Sequence, residues 1–164
     1  LLNSFYHIGK VNKQVNMKSD HQKRVEEFMR LARQEVLNTP AIPSKEVREL
    51  RAKLLYEECM EAITGLGVTV RLNHLSLEHS FAADNEPDLV EIVDGCCDLS
   101  VVATGTLSAC GVPDLPFLEM VDLNNLAKFG PGHSWREDGK LIKPAGHKPP
   151  DLRSVINQLQ RRAI

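Results

Sequence analysis

The stretch LLYEECMEA, residues 54–62, carries three carboxylates among apolar residues in what its spacing predicts to be a helix. At 100° per residue, Glu57 and Glu61 lie about 40° apart, with Glu58 beside them, and apolar side chains occupy the opposite side. The acids therefore form a face of their own. A solvated surface and a cation-binding site are both consistent with this stretch taken alone.

A second acidic stretch, EIVDGCCD at residues 91–98, follows about thirty residues later. Glu91, Asp94 and Asp98 fall within an arc of about 60°, and apolar side chains continue the same arc. Carboxylates that point where apolar residues point repel one another and cost several kcal/mol to desolvate. Because residues 72–127 contain no lysine or arginine, this helix brings no cation of its own. The pattern favours a bound cation.

The donor types narrow the choice of cation. Carboxylate oxygens without histidine or paired cysteine favour Mg²⁺ or Mn²⁺ over zinc or copper. A di-iron carboxylate bundle is the nearest alternative, but its Glu-x-x-His pairs are absent from both stretches. We therefore expect Mg²⁺, with Mn²⁺ as a possible substitute, in a site suited to phosphate chemistry.

Capping residues and helical spacing predict five helices. Ser19 begins a capping box, Ser44 can cap the second helix, and Asp114 can cap the fourth. Residues 67–87 show no long period, which predicts a loop with at most one short helical turn. The Asp-Gly pair in WREDGKLI, residues 135–142, predicts a hairpin. The fold class is all-α, a bundle of four to five helices with a small C-terminal hairpin region. The predicted helices span 19–38, 44–66, 87–110, 115–128 and 151–161.

The third predicted helix is apolar on nearly every side, which is typical of a helix in the middle of a bundle. One bundle of 164 residues leaves much apolar helix surface poorly covered, so we expect a homodimer or homotetramer. Trp135 is expected to plug the core of this small bundle rather than to form a platform for a nucleobase.

The overall composition excludes several classes of partner. A formal net charge of -2 argues against a general attraction to nucleic acid polymers or membrane surfaces, and no apolar run reaches the roughly 18 residues of a membrane span. The four cysteines match neither a disulfide framework nor a paired-cysteine metal site, which fits a reducing cytoplasm. We expect a cytoplasmic protein with a flexible N-terminal extension, residues 1–18, and a single domain, residues 19–164.

Four stretches of the sequence resemble a known superfamily. EECME followed by EIVDGCCD is similar to the ExxE…ExxD signature of the all-α nucleoside triphosphate pyrophosphohydrolases, which include the MazG proteins, the dimeric dUTPases and phosphoribosyl-ATP pyrophosphohydrolase. NNLAKFG, residues 124–130, resembles the Asn and Lys motif after the fourth helix of MazG-like members. REDGKLIKPAGHKPPDL, residues 136–152, resembles the tail of a bacterial and phage MazG-like subgroup. The resemblance covers about residues 20–152 and implies a MazG-like bundle.

The resemblance also implies roles for individual residues. Glu57 or Glu61 is the expected general base, and Asp98, one turn beyond Asp94, is expected to support the ligands or to pair with a lysine. Lys128 would hold a phosphate, whereas the basic tail fits a solvated loop as well as a phosphate clamp. The implied magnesium ligands are Glu58, Glu61, Glu91 and Asp94. The residues expected to bind substrate are Asn125, Lys128, Arg136 and Lys143.

The activity implied by the resemblance is Mg²⁺-dependent cleavage of a nucleoside triphosphate between its α and β phosphates, giving nucleoside monophosphate and pyrophosphate. A non-catalytic nucleotide- or metal-binding module of the same fold is the alternative. The metal motif does not select among nucleobases, so the preferred base stays open.

Overall fold

The computed structural model describes residues 17–162 and is mostly helical. The predicted extension falls almost entirely outside the described residues. Two small antiparallel hairpins, β1 with β2 and β3 with β4, accompany five α-helices and one 3₁₀ turn. The fold class predicted from the sequence is confirmed. The elements are α1 Asp20–Leu31, α2 Lys45–Gly65, β1 Val68–Leu72, β2 His79–Ala83, α3 Leu89–Ala109, α4 Asp114–Leu126, a 3₁₀ turn Ala127–Phe129, β3 Ser134–Trp135, β4 Leu141–Ile142 and α5 Leu152–Arg162.

The most extensive helix contact is between α2 and α3, the two helices that carry the acidic stretches. Small residues let their backbones approach closely. A Cβ added to Gly95 of α3 would lie 2.8 Å from the Cα of Ala62 on α2, and one added to Gly65 would lie 2.9 Å from the backbone of Glu91. The sequence predicted both helices, and the predicted cap of α2, Ser44, is confirmed. The N-cap of α3 is Asp88, which the sequence analysis did not identify.

The N-terminal helix α1 packs against α3 and contributes Val25 and Met29 to a small core that also contains Ala109. The fully buried Gln22 ties this core to the start of α4. Its amide nitrogen donates to Ser108 Oγ at 3.0 Å, and its amide oxygen accepts from the Asp114 backbone N–H at 2.8 Å. One side chain thus fixes the ends of three helices relative to one another.

Helix α1 ends at Leu31, which corrects the predicted span of 19–38. Arg33 adopts a left-handed conformation with φ +58°, and its N–H and that of Gln34 donate to the carbonyls of Arg30 and Met29. These two bonds close a Schellman cap. Val36, which the helical pattern included, still packs against the core, but from the connecting segment.

A β-hairpin occupies residues 67–87, where the sequence analysis predicted a loop. Val68 pairs with Ala83 and Leu72 with His79, so β1 and β2 form a regular antiparallel ladder. The base of the hairpin is closed by the Asn85 N–H, which donates to the Gly67 carbonyl at 3.1 Å. The hairpin connects α2 to α3 and fixes the position at which α3 begins.

Helix α4 begins at Asp114 itself, with Pro113 at the N-cap position, so the prediction of Asp114 as the cap is wrong. The Asp114 carboxylate instead accepts from the backbone N–H of Ser19 at 2.8 Å and from its hydroxyl. The predicted C-terminal hairpin is confirmed as β3 and β4. Trp135 does not plug the core, because it is 58% exposed and lies beside Phe129 on the hairpin surface.

Residues 17–162 do not enclose α3 on all sides, contrary to the prediction of a central helix. Its side opposite α2 exposes Leu89, Val93, Cys96 and Ala103. Within residues 17–162 it is the one helix long and apolar enough, over 21 residues, to cross a membrane by length and composition. The sequence analysis considered uninterrupted apolar runs, and Glu91, Asp94 and Asp98 interrupt this helix. Its mean hydropathy over 18 residues nevertheless reaches the range of membrane-spanning helices. Length and composition do not separate a membrane helix from the core helix of a soluble protein.

Candidate active site

The contacts between α2 and α3 set which carboxylates face each other. Gly105 lies against Arg51, and Gly95 lies against Ala62. On α2, Glu58 lies between Arg51 and Ala62, and on α3, Asp98 lies between their contact positions. Because the two helices run antiparallel, Glu58 comes opposite Asp98. The acidic faces predicted on two separate helices therefore meet along one helix pair.

The pKa of Glu58 is affected by the carboxylates around it. Partial desolvation raises the pKa of the Glu58 carboxyl, and the charges of its neighbours on both helices raise it further. Within residues 17–162, no lysine, arginine or histidine lies within ion-pair distance of Glu58. Glu57 has a cationic partner, Lys53, at 3.6 Å. The neighbours that raise the pKa of Glu58 are, from the largest effect, Glu61, Asp98, Glu57 and Asp94.

Glu91 lies beside Glu61 and not beside Glu58. Glu91 and Glu61 line a groove of about 340 Å³ together with Glu86 and Asp88. Glu91 is not among the charges that raise the pKa of Glu58, whereas Asp98 is. Glu61 thus faces both the groove and the cluster. The sequence analysis allowed a lysine partner for Asp98, and Asp98 has no such partner among the described residues.

The donor set fits a divalent cation in charge and in chemistry. Five carboxylates on two helices supply hard oxygen ligands of the kind Mg²⁺ prefers, and the described residues offer this cluster one lysine. In the described part of the chain, no three His, Cys, Asp or Glu side chains already stand at metal-ligand spacing.

A second pocket, of about 250 Å³, opens beside Glu58 and Asp98 and was missed by the sequence analysis. It lies between α1, α2 and α3, and the buried Arg51 lines it. A signal for it exists in the sequence: Arg51 precedes Glu58 by seven residues, which places both on one face of α2.

The residues predicted to bind substrate lie on other elements. Lys128 Nζ donates to Asn125 Oδ1 at 2.6 Å at the end of α4, so these two are together. Arg136 forms an ion pair with Asp138 in the C-terminal hairpin, and Lys143 is exposed just after that hairpin. Within residues 17–162, no hydrogen bond or ion pair joins any of the four to the acidic cluster.

The free cysteines and the histidines add no ligand set among the described residues. Cys96 and Cys97 are exposed, whereas Cys59 and Cys110 are half-buried. His147 contacts Asn124 at 3.2 Å and serves to hold the C-terminal segment on α4.

Comparison with known proteins supports the resemblance seen in the sequence. The family model described as phosphoribosyl-ATP pyrophosphohydrolase matches residues 25–125, which is more than half of the chain and includes both acidic stretches. A search of curated proteins found no match. Members of the matched family are pyrophosphohydrolases that act on phosphoanhydride bonds. The chain belongs to the phosphoribosyl-ATP pyrophosphohydrolase family, within the all-α nucleoside triphosphate pyrophosphohydrolase (MazG-like) superfamily.

Proposed function

We propose that this protein is a Mg²⁺-dependent nucleoside triphosphate pyrophosphohydrolase that cleaves the α–β phosphoanhydride bond and releases nucleoside monophosphate and pyrophosphate. The observation that carries the proposal is the meeting of carboxylates from α2 and α3 around Glu58, which has no described cationic partner. Family membership supports the class of reaction.

The proposed cation ligands come from both helices. The resemblance assigns Glu58, Glu61, Glu91 and Asp94, and the position of Asp98 opposite Glu58 adds that residue to the set. When bound, Mg²⁺ would neutralise charge on the phosphates and lower the pKa of the attacking water.

Other residues of the chain have proposed roles around this cluster. Glu57 or Glu61 accepts the proton of the attacking water. Lys128, positioned by Asn125, donates to a phosphate oxygen. Arg136 and Lys143 extend the positive charge along the C-terminal hairpin, where they can reach a phosphate only if the hairpin or a second chain approaches the cluster.

The test is pyrophosphate release from a panel of nucleoside triphosphates in the presence of Mg²⁺. We expect wild-type protein to release pyrophosphate, and Glu61→Gln and Asp94→Asn to lose at least about 100-fold in turnover while retaining wild-type helicity. Glu49→Gln is the matched control, because Glu49 is an α2 acid paired with Lys45 away from the cluster. Nucleotide binding without pyrophosphate release would identify a non-catalytic module instead.

We also propose that the protein is a homodimer or homotetramer. The support is the apolar stripe that α3 exposes on the side opposite α2, together with exposed Leu118 and Leu126 on α4. Contiguous apolar surface on a soluble chain is typical of an interface. A partner helix on this stripe would enclose α3, as the sequence pattern predicted.

A further inference from the structure

One side of α1 faces the acidic cluster, and two contacts identify it. His21 Nε2 lies 3.5 Å from Ser100 Oγ of α3. Phe28 lines the second pocket together with Glu58 and Asp98. Phe28 follows His21 by seven residues, which is about two helical turns, so both side chains project from the same side of α1.

Arg24 lies on this same side of α1. It comes three residues after His21 and four before Phe28, and helical geometry therefore places it between them. The next residue, Val25, is buried in the core, whereas Arg24 is exposed. The guanidinium of Arg24 is therefore at the edge of the pocket that opens beside the cluster.

The other lysine and arginine of α1 are both paired. Lys23 forms an ion pair with Asp20 at 2.7 Å, and Arg30 forms one with the buried Glu26 at 3.0 Å. Lys23 is the main cause of the lowered pKa of Asp20, and Arg24 contributes the least to it. Asp20 is thus held by Lys23 rather than by Arg24.

Arg24 has no carboxylate side chain to pair with. In the part of the chain that the structure describes, it forms no hydrogen bond and no ion pair. The sequence outside that part contains no aspartate or glutamate. A guanidinium carries five N–H donors in a fixed planar arrangement, which suits two oxygens of one phosphate.

The two cations of α2 that are nearest to the cluster in sequence already have partners. Lys53 Nζ lies 3.6 Å from Glu57 Oε1, and Lys53 follows Arg51 by two residues, which turns it away from the side of α2 that meets α3. Arg51 is 6% exposed and donates to three acceptors, on α3 and on the segment after α1. Arg24 differs from both in being exposed and without an ion pair among the described residues.

We propose that Arg24 is a substrate-binding residue that donates two N–H groups to oxygens of a phosphate held at the acidic cluster. The inference rests on the proposed function, which places the phosphates there. It adds a cation from α1 of the same chain, a residue that the sequence analysis did not identify. Binding a phosphate costs Arg24 no ion pair within the described chain, whereas Lys53 would have to leave Glu57.

The test is calorimetric titration of the full-length protein with inorganic pyrophosphate in Mg²⁺ buffer, a readout that needs no turnover. We expect Arg24→Gln to bind pyrophosphate about tenfold more weakly than wild type. Arg24→Lys should fall between the two, because an ammonium keeps the charge and loses the paired donors. Arg48→Gln is the matched control and should bind like wild type, because Arg48 is an exposed arginine about 15 Å along α2 from Glu58.

Titration of the same proteins with Mn²⁺ alone separates a phosphate contact from damage to the fold. Arg24→Gln should bind Mn²⁺ at least as tightly as wild type, because the substitution removes a positive charge from beside the carboxylates. A structural role of Arg24 would instead weaken Mn²⁺ and pyrophosphate binding together.

The outcomes distinguish this inference from the proposed function. No pyrophosphate binding by wild type, equal binding by Arg24→Gln, or a parallel loss of Mn²⁺ binding overturns the inference, even where triphosphates are cleaved. Pyrophosphate binding that depends on Arg24, in a protein that cleaves no triphosphate, upholds the inference and contradicts the proposed activity.

Discussion

At the scale of single residues, Glu58 has the most distinctive environment in the cluster. It is half-buried between α2 and α3, and four carboxylates raise the pKa of its side chain beyond the effect of desolvation. The sequence identified all of these acids, because helical spacing places them on shared faces. It did not identify that Asp98 faces Glu58, because which side chains meet across two helices depends on how closely the helices pack.

The raised pKa of Glu58 predicts how the stability of metal-free protein depends on pH. The folded state holds this proton more tightly than the unfolded state, where the pKa is near 4.5. The stabilising contribution is therefore fully present below pH 4.5 and is lost as the pH rises through the folded-state pKa. We expect Glu58→Gln to be more stable than wild type at pH 7, by less than about 1 kcal/mol because the site is partly solvated.

Denaturant unfolding in EDTA at pH 4 and at pH 7 measures this difference. The advantage of Glu58→Gln should shrink toward pH 4, and Glu49→Gln should show no comparable change. A Glu58→Gln variant that is less stable than wild type at pH 7 would mean that the Glu58 charge is favourably paired in the fold.

In the presence of a bound cation, we expect wild type to be more stable than Glu58→Gln. If Glu58 and Asp98 are ligands, Mg²⁺ at about 100 times its Kd stabilises wild type by about 2.7 kcal/mol. We expect Asp98→Asn and Glu58→Gln to lose most of this gain, measured as the Mg²⁺-dependent shift in unfolding midpoint. If Asp98→Asn showed the full Mg²⁺-dependent shift in unfolding midpoint, Asp98 would not be a cation ligand and would only support the ligands.

At the scale of the elements, the glycines of α2 and α3 decide how close the acids come. Gly95→Ala would place a Cβ 2.8 Å from the backbone of Ala62. Although alanine is the better helix former, we expect this overpacking to destabilise the protein by about 1–3 kcal/mol and to weaken Mg²⁺ binding. Cys97→Ala, two positions further along and exposed, should change the free energy of unfolding by less than about 0.5 kcal/mol.

At the end of α1, we predict a substitution that stabilises the protein. Arg33 adopts a left-handed backbone conformation, which costs an L-residue roughly 1–2 kcal/mol. Replacing it with glycine removes this strain, but part of the gain is lost because glycine has more conformational entropy in the unfolded chain. Arg33→Gly is therefore expected to stabilise the protein by up to about 1 kcal/mol in chemical denaturation. Arg24→Gly, in the interior of the same helix, should destabilise it by about 1 kcal/mol. Destabilisation by both would show that Arg33 makes a contact that outweighs its backbone strain.

The elements also show where sequence reasoning succeeds and where it stops. Helices α2 and α3 were predicted because Ser44 can cap α2, Pro87 comes just before α3, and glycines or a proline follow each of them. The β1–β2 hairpin was missed because its strands are joined by six residues without a two-residue turn signal. The early end of α1 was missed because an arginine occupies the left-handed position where glycine is usual.

At the scale of the whole molecule, residues 17–162 leave one apolar side of α3 exposed, which is the observation that supports the proposed homo-oligomer. We expect sedimentation to give a dimer or a tetramer, and Val93→Glu, on the side of α3 opposite α2, to shift the protein toward monomer. Leu75→Glu, at the nearly fully exposed tip of the first hairpin, should leave the assembly unchanged. A wild-type protein that sediments only as a monomer would contradict the proposed assembly.

The proposed activity requires that oxygens from α2 and α3 together hold a divalent cation. Anomalous diffraction from crystals soaked in Mn²⁺ measures this directly, because manganese scatters anomalously where magnesium does not. We predict an anomalous peak between the two helices, within bonding distance of carboxylate oxygens that include Glu58 and Asp98. Well-ordered carboxylates with no peak between them, at Mn²⁺ concentrations that saturate any thermal stabilisation, would contradict the account.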